Sequence, residues 1–135
     1  MTKSDKTKIY VADDNRDVLE IIRISFGEDH PYHFRYYSDA LLFLEDLDRD
    51  LDLVILDVHM PNFDVVEAVK VIDEKSPRAY IIILSADRVW DTMKQLANLG
   101  IFRYCEKGSN FIEELKEAVA AAHRKITLIK KVCPW

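Results

Sequence analysis

Five polar side chains stand at or just beyond the ends of short apolar runs, and their types suit metal and phosphate chemistry. They are an acidic pair after one run, an acid after a second, a hydroxyl after a third and an ammonium after a fourth: Asp13 and Asp14, Asp57, Ser85, and Lys107. Two carboxylates about 4 Å apart repel by roughly 4 kcal/mol at an effective dielectric constant of about 20, so three carboxylates in one place need a cation. Oxygen ligands of this kind suit Mg²⁺ or Mn²⁺ better than zinc.

The apolar runs before these residues have the length and composition of buried strands. Residues 53–56 and 79–84 are continuous apolar runs, as expected for strands of a parallel sheet that is covered on both faces. The chain alternates five such strands with helical stretches, and right-handed crossovers then place helices on both faces. The sequence therefore predicts an α/β fold, a flavodoxin-like, doubly wound, five-stranded parallel sheet. Its strands' carboxyl ends form one ligand-binding edge, where the five side chains should meet.

The bounds of the elements follow from apolar spacing and from end signals. Strands are predicted at residues 8–12, 32–37, 53–56, 79–84 and 101–105, with the second at an edge of the sheet. Helices are predicted at residues 15–27 and 39–47, from about 65 to 76, at 89–99 and from about 110 onward. Ser38 is expected to cap the second helix. Two capping boxes, Asp64 with Glu67 and Asn110 with Glu113, are expected to open the third and the fifth.

Together these motifs resemble the receiver domain of two-component response regulators, the family of the chemotaxis regulator CheY. The resemblance runs from about residue 8 to about residue 125, with the elements in the right order. The matching features are the pair Asp13 and Asp14, the D-x-x-M-P segment from Asp57 to Pro61, Ser85 followed by Ala86, and Lys107 with Tyr104 three residues before it. Each motif alone is weak, but the four at these intervals are specific.

The resemblance implies roles for four of these residues. Asp57 would be the phosphoacceptor, attacking the phosphorus of a phosphohistidine to give an aspartyl phosphate. Ser85 and Lys107 would be its catalytic companions, with the lysine neutralising charge on the phosphoryl oxygens. Tyr104 would be a switch residue that turns inward when Ser85 engages the phosphoryl group. Without the resemblance, Ser85 is equally a helix cap, Lys107 a loop lysine and Tyr104 an ordinary strand aromatic.

The resemblance also implies a metal site and a control on phosphoryl lifetime. Asp13, Asp14, Asp57 and the backbone carbonyl of His59 would hold Mg²⁺ or Mn²⁺, with Asp13 acting mainly through water. His59 and Asp87 stand two positions beyond the acceptor and the hydroxyl residue, where the family flanks the path of the hydrolytic water. If these two side chains pair, they would obstruct that path and slow dephosphorylation. Alternatively, His59 is a solvent-facing loop imidazole and Asp87 only caps a helix.

Two positions depart from the family pattern. Gly108 follows the lysine where proline with a cis peptide bond is usual, and a cis bond before a residue other than proline costs about 2.5 to 4 kcal/mol. Val65 stands where glycine is common, and a β-branched residue tolerates a positive φ badly. The loop after the central strand is therefore expected to follow a different path. Neither change removes a reacting group.

The length and composition of the chain restrict its domain organisation and its partners independently of the motifs. A chain of 135 residues is expected to form a single receiver domain over 1–135, with a core at about 8–125 and a short extension at 126–135. The net charge of −5 disfavours a nucleic-acid surface. Cys105 and Cys133 lack Cys-x-x-Cys spacing, and no apolar run suits a signal peptide or a membrane helix. We therefore expect a soluble, cytoplasmic protein with no direct nucleic-acid or membrane partner.

The resulting functional hypothesis is a stand-alone receiver, a signalling domain that takes part in its own phosphorylation and dephosphorylation and is not otherwise an enzyme. Its phosphodonor would be a histidine kinase or a histidine phosphotransfer protein, and its signal would pass to a separate protein target. The output face would comprise residues 89–99, 101–105 and the last helix, with Trp90 as an exposed anchor, and phosphorylation-linked homodimerisation is compatible with this scheme.

The sequence disfavours three other classes of protein. A degenerate receiver that serves as a phosphorylation-independent scaffold is disfavoured because Asp57, Ser85 and Lys107 are intact. A flavodoxin-type electron carrier is disfavoured because Asp13 and Asp14 would repel the flavin phosphate. A phosphohydrolase of the haloacid dehalogenase type would need Asp-x-Asp after the first strand, which the chain lacks.

Overall fold

The computed structural model describes residues 6–86 and 90–133, and five parallel strands form one sheet in it. The strands lie in the order β2-β1-β3-β4-β5, with every neighbouring pair parallel. Their bounds are β1 (Thr7–Ala12), β2 (Tyr32–Tyr37), β3 (Leu53–Asp57), β4 (Tyr80–Ser85) and β5 (Arg103–Glu106). The predicted doubly wound α/β fold is confirmed, and β2 lies at an edge of the sheet as its alternating pattern predicted.

In the described residues, four helices connect the five strands and a fifth helix follows β5. They are α1 (Arg16–Phe26), α2 (Ala40–Glu45), α3 (Val65–Lys75), α4 (Trp90–Asn98) and α5 (Phe111–Val132). The alternating pleat of each strand sends successive side chains to opposite faces of the sheet, so two apolar cores form. Helices α1 and α5 cover one core, to which Ile55 and Leu84 contribute, and α2, α3 and α4 cover the other, to which Val54 and Ile83 contribute.

Burial is most complete in β3, because it lies at the centre of the sheet. All five of its residues are buried, which explains why its sequence is a continuous apolar run closed by an acid. The ladder continues one residue further, since Val58 donates its N–H to the Leu84 carbonyl at 3.0 Å. The end of β3 is therefore held rigidly beside β4, at the edge where Asp57 and Ser85 stand.

Two capping predictions were wrong. Asp39, not Ser38, caps α2: its carboxylate accepts from the N–H groups of Leu41 and Leu42 at 2.9 and 3.2 Å, because its backbone is extended and aims the side chain at the helix. Asn110 precedes α5 as predicted, but its side chain makes no capping hydrogen bond. Its ψ of 18° is not the extended conformation that a capping side chain requires.

Other differences concern the ends of elements. Helix α2 ends at Glu45, two residues earlier than predicted, and β5 occupies Arg103–Glu106 instead of 101–105, because its pairing with β4 begins at Arg103 opposite Ile82. Asp64 caps α3 as predicted, accepting from Val66 and Glu67 at 3.0 and 3.4 Å. In the part of the chain that the structure describes, no helix combines the length and the low polarity that crossing a membrane requires.

Candidate functional site

Three carboxylates meet at the carboxyl end of the sheet. Asp13 and Asp14 directly follow β1, Asp57 is the last residue of β3, and these two strands are neighbours. One carboxylate oxygen from each residue lies within 4.8 Å of the corresponding oxygens of the other two. Asp13 and Asp57 are buried, with exposed fractions of 0% and 3%, whereas Asp14 is exposed to solvent. The predicted convergence of these acids is therefore present in the structure.

Lys107 extends its ammonium into this acidic cluster. Its Nζ lies 2.7 Å from Asp13 Oδ2 and 2.9 Å from Asp57 Oδ1. The lysine follows β5, and its backbone N–H donates to the Ser85 carbonyl at 2.7 Å, which fixes it against the end of β4. The peptide bond to Gly108 is trans, so the lysine reaches both carboxylates with glycine at the next position.

The electrostatics of the site are unbalanced, because three acids share one nearby ammonium. Burial raises the pKa of Asp57, and the charges of Asp13 and Asp14 raise it further, whereas the bond from Lys107 acts in the opposite direction. Burial alone would lower the pKa of Lys107, but the hydrogen bonds and charges of Asp13 and Asp57 outweigh it, and the net shift is upward. Lys107 therefore remains a cation near neutral pH.

The acidic cluster has oxygen atoms that suit a divalent cation, as the surroundings of Asp13 show. Asp13 Oδ1 accepts from the Asn15 N–H at 2.9 Å, and Asp13 Oδ2 is buried with Lys107 Nζ 2.7 Å away, which leaves this carboxylate oxygen a second lone pair for a further partner. A buried carboxylate oxygen with acceptor capacity to spare, beside two more carboxylates, is a hard oxygen donor set of the kind that suits Mg²⁺. The acidic cluster is therefore compatible with a divalent metal site.

Ser85 lies on β4, next to β3, and Tyr104 lies on β5, the edge strand on the other side of β4. Ser85 ends β4, is buried and pairs with Glu106 in the β4–β5 register. Tyr104 is half-buried and packs against the core that α2, α3 and α4 cover. Together with Met93 and Cys105, it lines an open groove of ≈ 400 Å³ between α4, β5 and α5. The predicted switch position is thus at a surface groove and not in the middle of the core.

The loop after β3 accommodates Val65 without a strained backbone at that residue. Val65 is the first residue of α3 and is buried at 6% exposure, and the positive φ of this region, 54°, falls on Asn62. Asparagine adopts this conformation more readily than most residues, so valine at 65 needs no strained backbone. His59 is exposed. Asp87, its predicted companion in controlling dephosphorylation, lies outside the described residues.

Access to the acidic cluster comes from the side of α2. An open groove of ≈ 600 Å³ lies there, and Asp14, Arg16, Ser38, Met60 and Asn62 are among its lining residues. Two contributors to this region were not predicted from the sequence: Asn15, which caps α1 and donates its N–H to Asp13, and Asn62. The sequence does contain signals for both residues: Asn15 is an Asx residue before a helix, and Asn62 is an asparagine after proline.

The fold and the site together define a flavodoxin-like α/β domain with an acidic, lysine-bridged carboxyl edge. The chain belongs to the response regulator receiver domain family, whose sequence model matches residues 9–120. It is therefore a receiver domain of two-component signal transduction, as the resemblance predicted.

Individual relatives agree with this assignment. The transcriptional regulatory protein CitT of Halalkalibacterium halodurans is 30% identical over 105 residues, which cover 74% of this chain and 45% of that protein. The chain thus spans less than half the length of this curated relative. The signal receiver domain of a LuxO repressor protein from Vibrio parahaemolyticus shares the fold with a TM-score of 0.85 at 20% identity, over 96% of this chain and 99% of that one. The receiver domain of an HD domain-containing protein from Pseudomonas fluorescens Pf-5 has a TM-score of 0.80 at 26% identity, over 90% and 98%.

Proposed function

We propose that this receiver accepts a phosphoryl group on Asp57 in a reaction that depends on Mg²⁺ or Mn²⁺. The observation that supports it best is the position of Lys107, whose ammonium lies within hydrogen-bonding distance of both Asp13 and Asp57. A cation held at this point can neutralise charge on a phosphoryl group that is being transferred to Asp57. The family is a signalling family, so the phosphoryl group is a signal and not a metabolic product.

The residues of the site divide the work. Asp57 would supply the nucleophilic carboxylate: one of its oxygens forms a bond to phosphorus while the P–N bond of the donor phosphohistidine breaks and the imidazole leaves. Asp13, Asp14, Asp57 and the carbonyl of His59 would hold the metal ion, which supplies a positive charge to the phosphoryl oxygens. Ser85 would donate a hydrogen bond to a phosphoryl oxygen from the end of β4. Tyr104, on the neighbouring strand, would then change its packing against the groove beside α4.

The phosphodonor we propose is a histidine kinase or a histidine phosphotransfer protein, and the groove next to Asp14 and Arg16 gives it access. The downstream target is a protein that reads the face of α4, β5 and α5. Trp90, the first residue of α4, is 64% exposed there and suits an aromatic anchor. Cytoplasmic localisation, action without an output domain in the same chain, and control of dephosphorylation by His59 with Asp87 stay predictions.

Phosphoryl labelling with a small-molecule donor tests the proposal. The protein is incubated with acetyl phosphate and Mg²⁺, and acid-labile, hydroxylamine-sensitive phosphate is measured by mass spectrometry. We expect one phosphoryl group in the wild type and none in Asp57→Asn or when EDTA replaces Mg²⁺. Asp52→Asn is a matched control, because Asp52 is also a buried aspartate beside β3 but lies at the opposite end of the sheet. Undiminished labelling of Asp57→Asn would overturn the proposal.

A further inference from the structure

Strand β2 has a neighbouring strand on only one of its two sides. Within residues 6–86 and 90–133, β2 pairs with β1 alone, residue for residue over its whole length and without a bulge. Its sequence, YHFRYY, contains neither proline nor lysine, two residues with which edge strands are often protected against further pairing. The strand at the other edge of the sheet, β5, has only four residues. The outer side of β2 is therefore the longer open edge of this sheet.

The backbone groups on this open edge belong to alternate residues of β2. At one end of the ladder, the Pro31 carbonyl accepts from the Thr7 N–H at 3.1 Å. At the other end, the Tyr37 carbonyl accepts from the Asp13 N–H at 3.0 Å. Because successive residues of a strand point their backbone groups to opposite sides, the odd-numbered residues of β2 face β1 and the even-numbered ones face away. The residues that face the open edge are three: Tyr32, Phe34 and Tyr36.

One backbone group on this edge is already used within the chain. The Tyr32 N–H donates to His30 Nδ1 at 3.2 Å, and the imidazole is stacked on the Tyr32 ring. For the N–H groups of Phe34 and Tyr36, and for the carbonyls of all three residues, the described part of the chain supplies no strand on this side. An added strand can therefore pair with them.

The side chains of β2 divide between the two faces of the sheet. Tyr32, Phe34 and Tyr36 are half-buried and pack against the core that α1 and α5 cover, where the rings of Phe34 and Tyr36 are stacked 5.6 Å apart. His33 and Arg35 point to the opposite face and are exposed. The open edge thus carries an aromatic row on one face and two polar, nitrogen-bearing side chains on the other.

We propose that β2 pairs in the antiparallel orientation with β2 of a second copy of this chain, with Phe34 at the twofold axis, so that two five-stranded sheets join into one. Phe34 then lies opposite Phe34, and Tyr32 lies opposite Tyr36 of the second copy. These pairs exchange about six backbone hydrogen bonds, two of which replace the bonds from Tyr32 to His30. On the other face, His33 lies opposite Arg35, where the imidazole can accept a hydrogen bond from the guanidinium group.

Charge and face select this arrangement over its neighbours. An axis at Arg35 would set two guanidinium groups directly opposite each other, which is destabilising in an antiparallel pair. An axis at His33 would bring Pro31 opposite Arg35 and shorten the ladder. A parallel pair about a twofold axis would turn one sheet over, and the aromatic row of one copy would then lie beside the polar row of the other. The axis at Phe34 keeps aromatic residues together and separates the guanidinium groups.

The proposed dimer leaves the acidic cluster and the face of α4, β5 and α5 accessible. Strands β1 and β3 separate β2 from Ser85 on β4, and β5 lies at the far edge of the sheet. The antiparallel orientation directs the two acidic clusters to opposite ends of the joined sheet. We therefore expect an association that does not depend on phosphorylation, and beryllofluoride with Mg²⁺ should leave its dissociation constant unchanged.

Proline substitution tests the backbone pairing. Tyr36→Pro removes an N–H that points away from β1, and proline is tolerated at such positions of an edge strand. Tyr36→Ala is the matched control, because it removes the same side chain and keeps the N–H. We expect the wild type to self-associate in sedimentation velocity at concentrations up to about 1 mM, and the dissociation constant of Tyr36→Pro to exceed that of Tyr36→Ala by about tenfold or more. Circular dichroism checks that both variants fold.

Charge at residue 33 tests the register without altering the core, because His33 is exposed. His33→Arg places guanidinium groups opposite each other twice per dimer, and we expect it to raise the dissociation constant by about tenfold. His33→Glu places a carboxylate opposite Arg35 and should lower the dissociation constant several-fold. Gln95→Arg and Gln95→Glu are matched controls on an exposed position of α4, and neither should change the association. These variants decide the question even if Tyr36→Pro does not fold.

Cysteine cross-linking tests the same register by distance. In a Cys133→Ser background, His33→Cys and Arg35→Cys are mixed and mildly oxidised. Residues 33 and 35 of the two copies form a non-hydrogen-bonded pair with Cα atoms about 4.5 Å apart, which a disulfide can span. Two copies of residue 33, or of residue 35, would be about 8 Å apart, which is too far. We therefore expect a disulfide-linked dimer in the mixture and in neither variant alone.

Several results would overturn the proposal. A monomeric wild type would show that this edge does not pair with its own copy, whatever other chain it binds. Equal association of Tyr36→Pro and Tyr36→Ala, or His33 variants that associate as the Gln95 variants do, would contradict the pairing and its register. Cross-linking of the single variants as strong as that of the mixture, or an association that beryllofluoride strengthens, would place the contact elsewhere.

Labelling of Asp57 is measured in the same samples, because the altered residues lie outside the acidic cluster. Lost association with intact labelling overturns only the dimer. Retained association without labelling overturns only the proposed phosphoacceptor function.

Discussion

Each end of the sheet holds buried carboxylate, but the two ends balance its charge differently. At the amino end, Asp52 Oδ2 accepts from the Lys8 N–H at 2.9 Å and from Lys130 Nζ at 3.1 Å, and an Arg78 nitrogen lies 3.8 Å from Oδ1. One acid there has two cations and a backbone donor. At the carboxyl end, three acids share Lys107.

The difference teaches what each cluster can do. The amino end needs no further ligand, because its buried carboxylate is hydrogen-bonded and its charge is compensated. Its contacts therefore fix α5 and the loop before β4 to the sheet. The carboxyl end keeps excess negative charge and a buried oxygen with spare acceptor capacity. A site of this kind is stabilised by a cation from solution, which is the property that phosphoryl transfer uses.

Truncation of Asp52 should have the largest effect on stability. Asp52→Ala leaves the Lys8 N–H without its acceptor and Lys130 without its counter-ion, and we expect a loss of about 3 to 5 kcal/mol in the free energy of unfolding. Urea denaturation measures it. Asp52→Asn is the matched control, since it keeps an acceptor and should lose less. A loss below about 1 kcal/mol for Asp52→Ala would mean that this cluster does not hold the fold.

Substitution of Lys107 should reveal the excess negative charge at the carboxyl end of the sheet. Lys107→Met leaves the buried pair Asp13 and Asp57 without a cation, so the melting temperature in EDTA should fall by several degrees. Mg²⁺ should restore more of the melting temperature in this variant than it adds to the wild type. Equal melting temperatures of variant and wild type in EDTA would contradict the assigned role of Lys107.

Neutralisation of Asp57 should raise the stability of the fold, and the size of this gain should depend on pH. Because the folded-state pKa of Asp57 is raised, its proton favours the folded state, and this contribution is complete below the unfolded pKa and is lost as pH rises through the folded pKa. Without metal, Asp57→Asn should therefore melt a few degrees above the wild type at pH 7, with no such gain near pH 3.5. Calorimetry at the two pH values checks this. A variant less stable than the wild type at pH 7 would refute it.

The smallest predicted effect is a change in the fluorescence of Trp90, on the face formed by α4, β5 and α5. Trp90 is exposed at the start of α4, so an altered packing around Tyr104 should change its fluorescence modestly. In a Trp135→Phe variant, beryllofluoride with Mg²⁺ should shift the emission of Trp90, and Asp57→Asn should remove the shift. Identical spectra with and without beryllofluoride would show that α4 does not respond to the site.

Fold and site differed in how far the sequence predicted them. Continuous apolar runs such as 53–56 determine buried parallel strands, and the acids after them mark the edge where they meet, so the topology and the cluster of Asp13, Asp14 and Asp57 followed from pattern. The capping predictions for Ser38 and Asn110 were wrong because capping depends on the backbone angles of a single residue. Those angles cannot be read from the sequence when neighbouring residues, such as Ser38 and Asp39, are both of a capping type.

The contrast between the two ends was also beyond the sequence. Asp52 immediately precedes β3 and Asp57 is its last residue; the two are the same residue type, and both are buried. Their partners, Lys130 from α5 and Lys107 after β5, are distant in the chain and are brought near only by the fold. Whether an aspartate is compensated or left in excess is therefore a property of the tertiary structure.

Calorimetric titration with Mg²⁺ tests this contrast most directly. We expect one binding site in the wild type and in Asp52→Asn, with similar affinities. Asp57→Asn should bind about tenfold more weakly or not measurably, because it removes a ligand charge from the cluster. Equal Mg²⁺ affinity in all three proteins, or a loss of affinity in Asp52→Asn alone, would contradict the assignment of the metal-dependent site to the carboxyl end of the sheet.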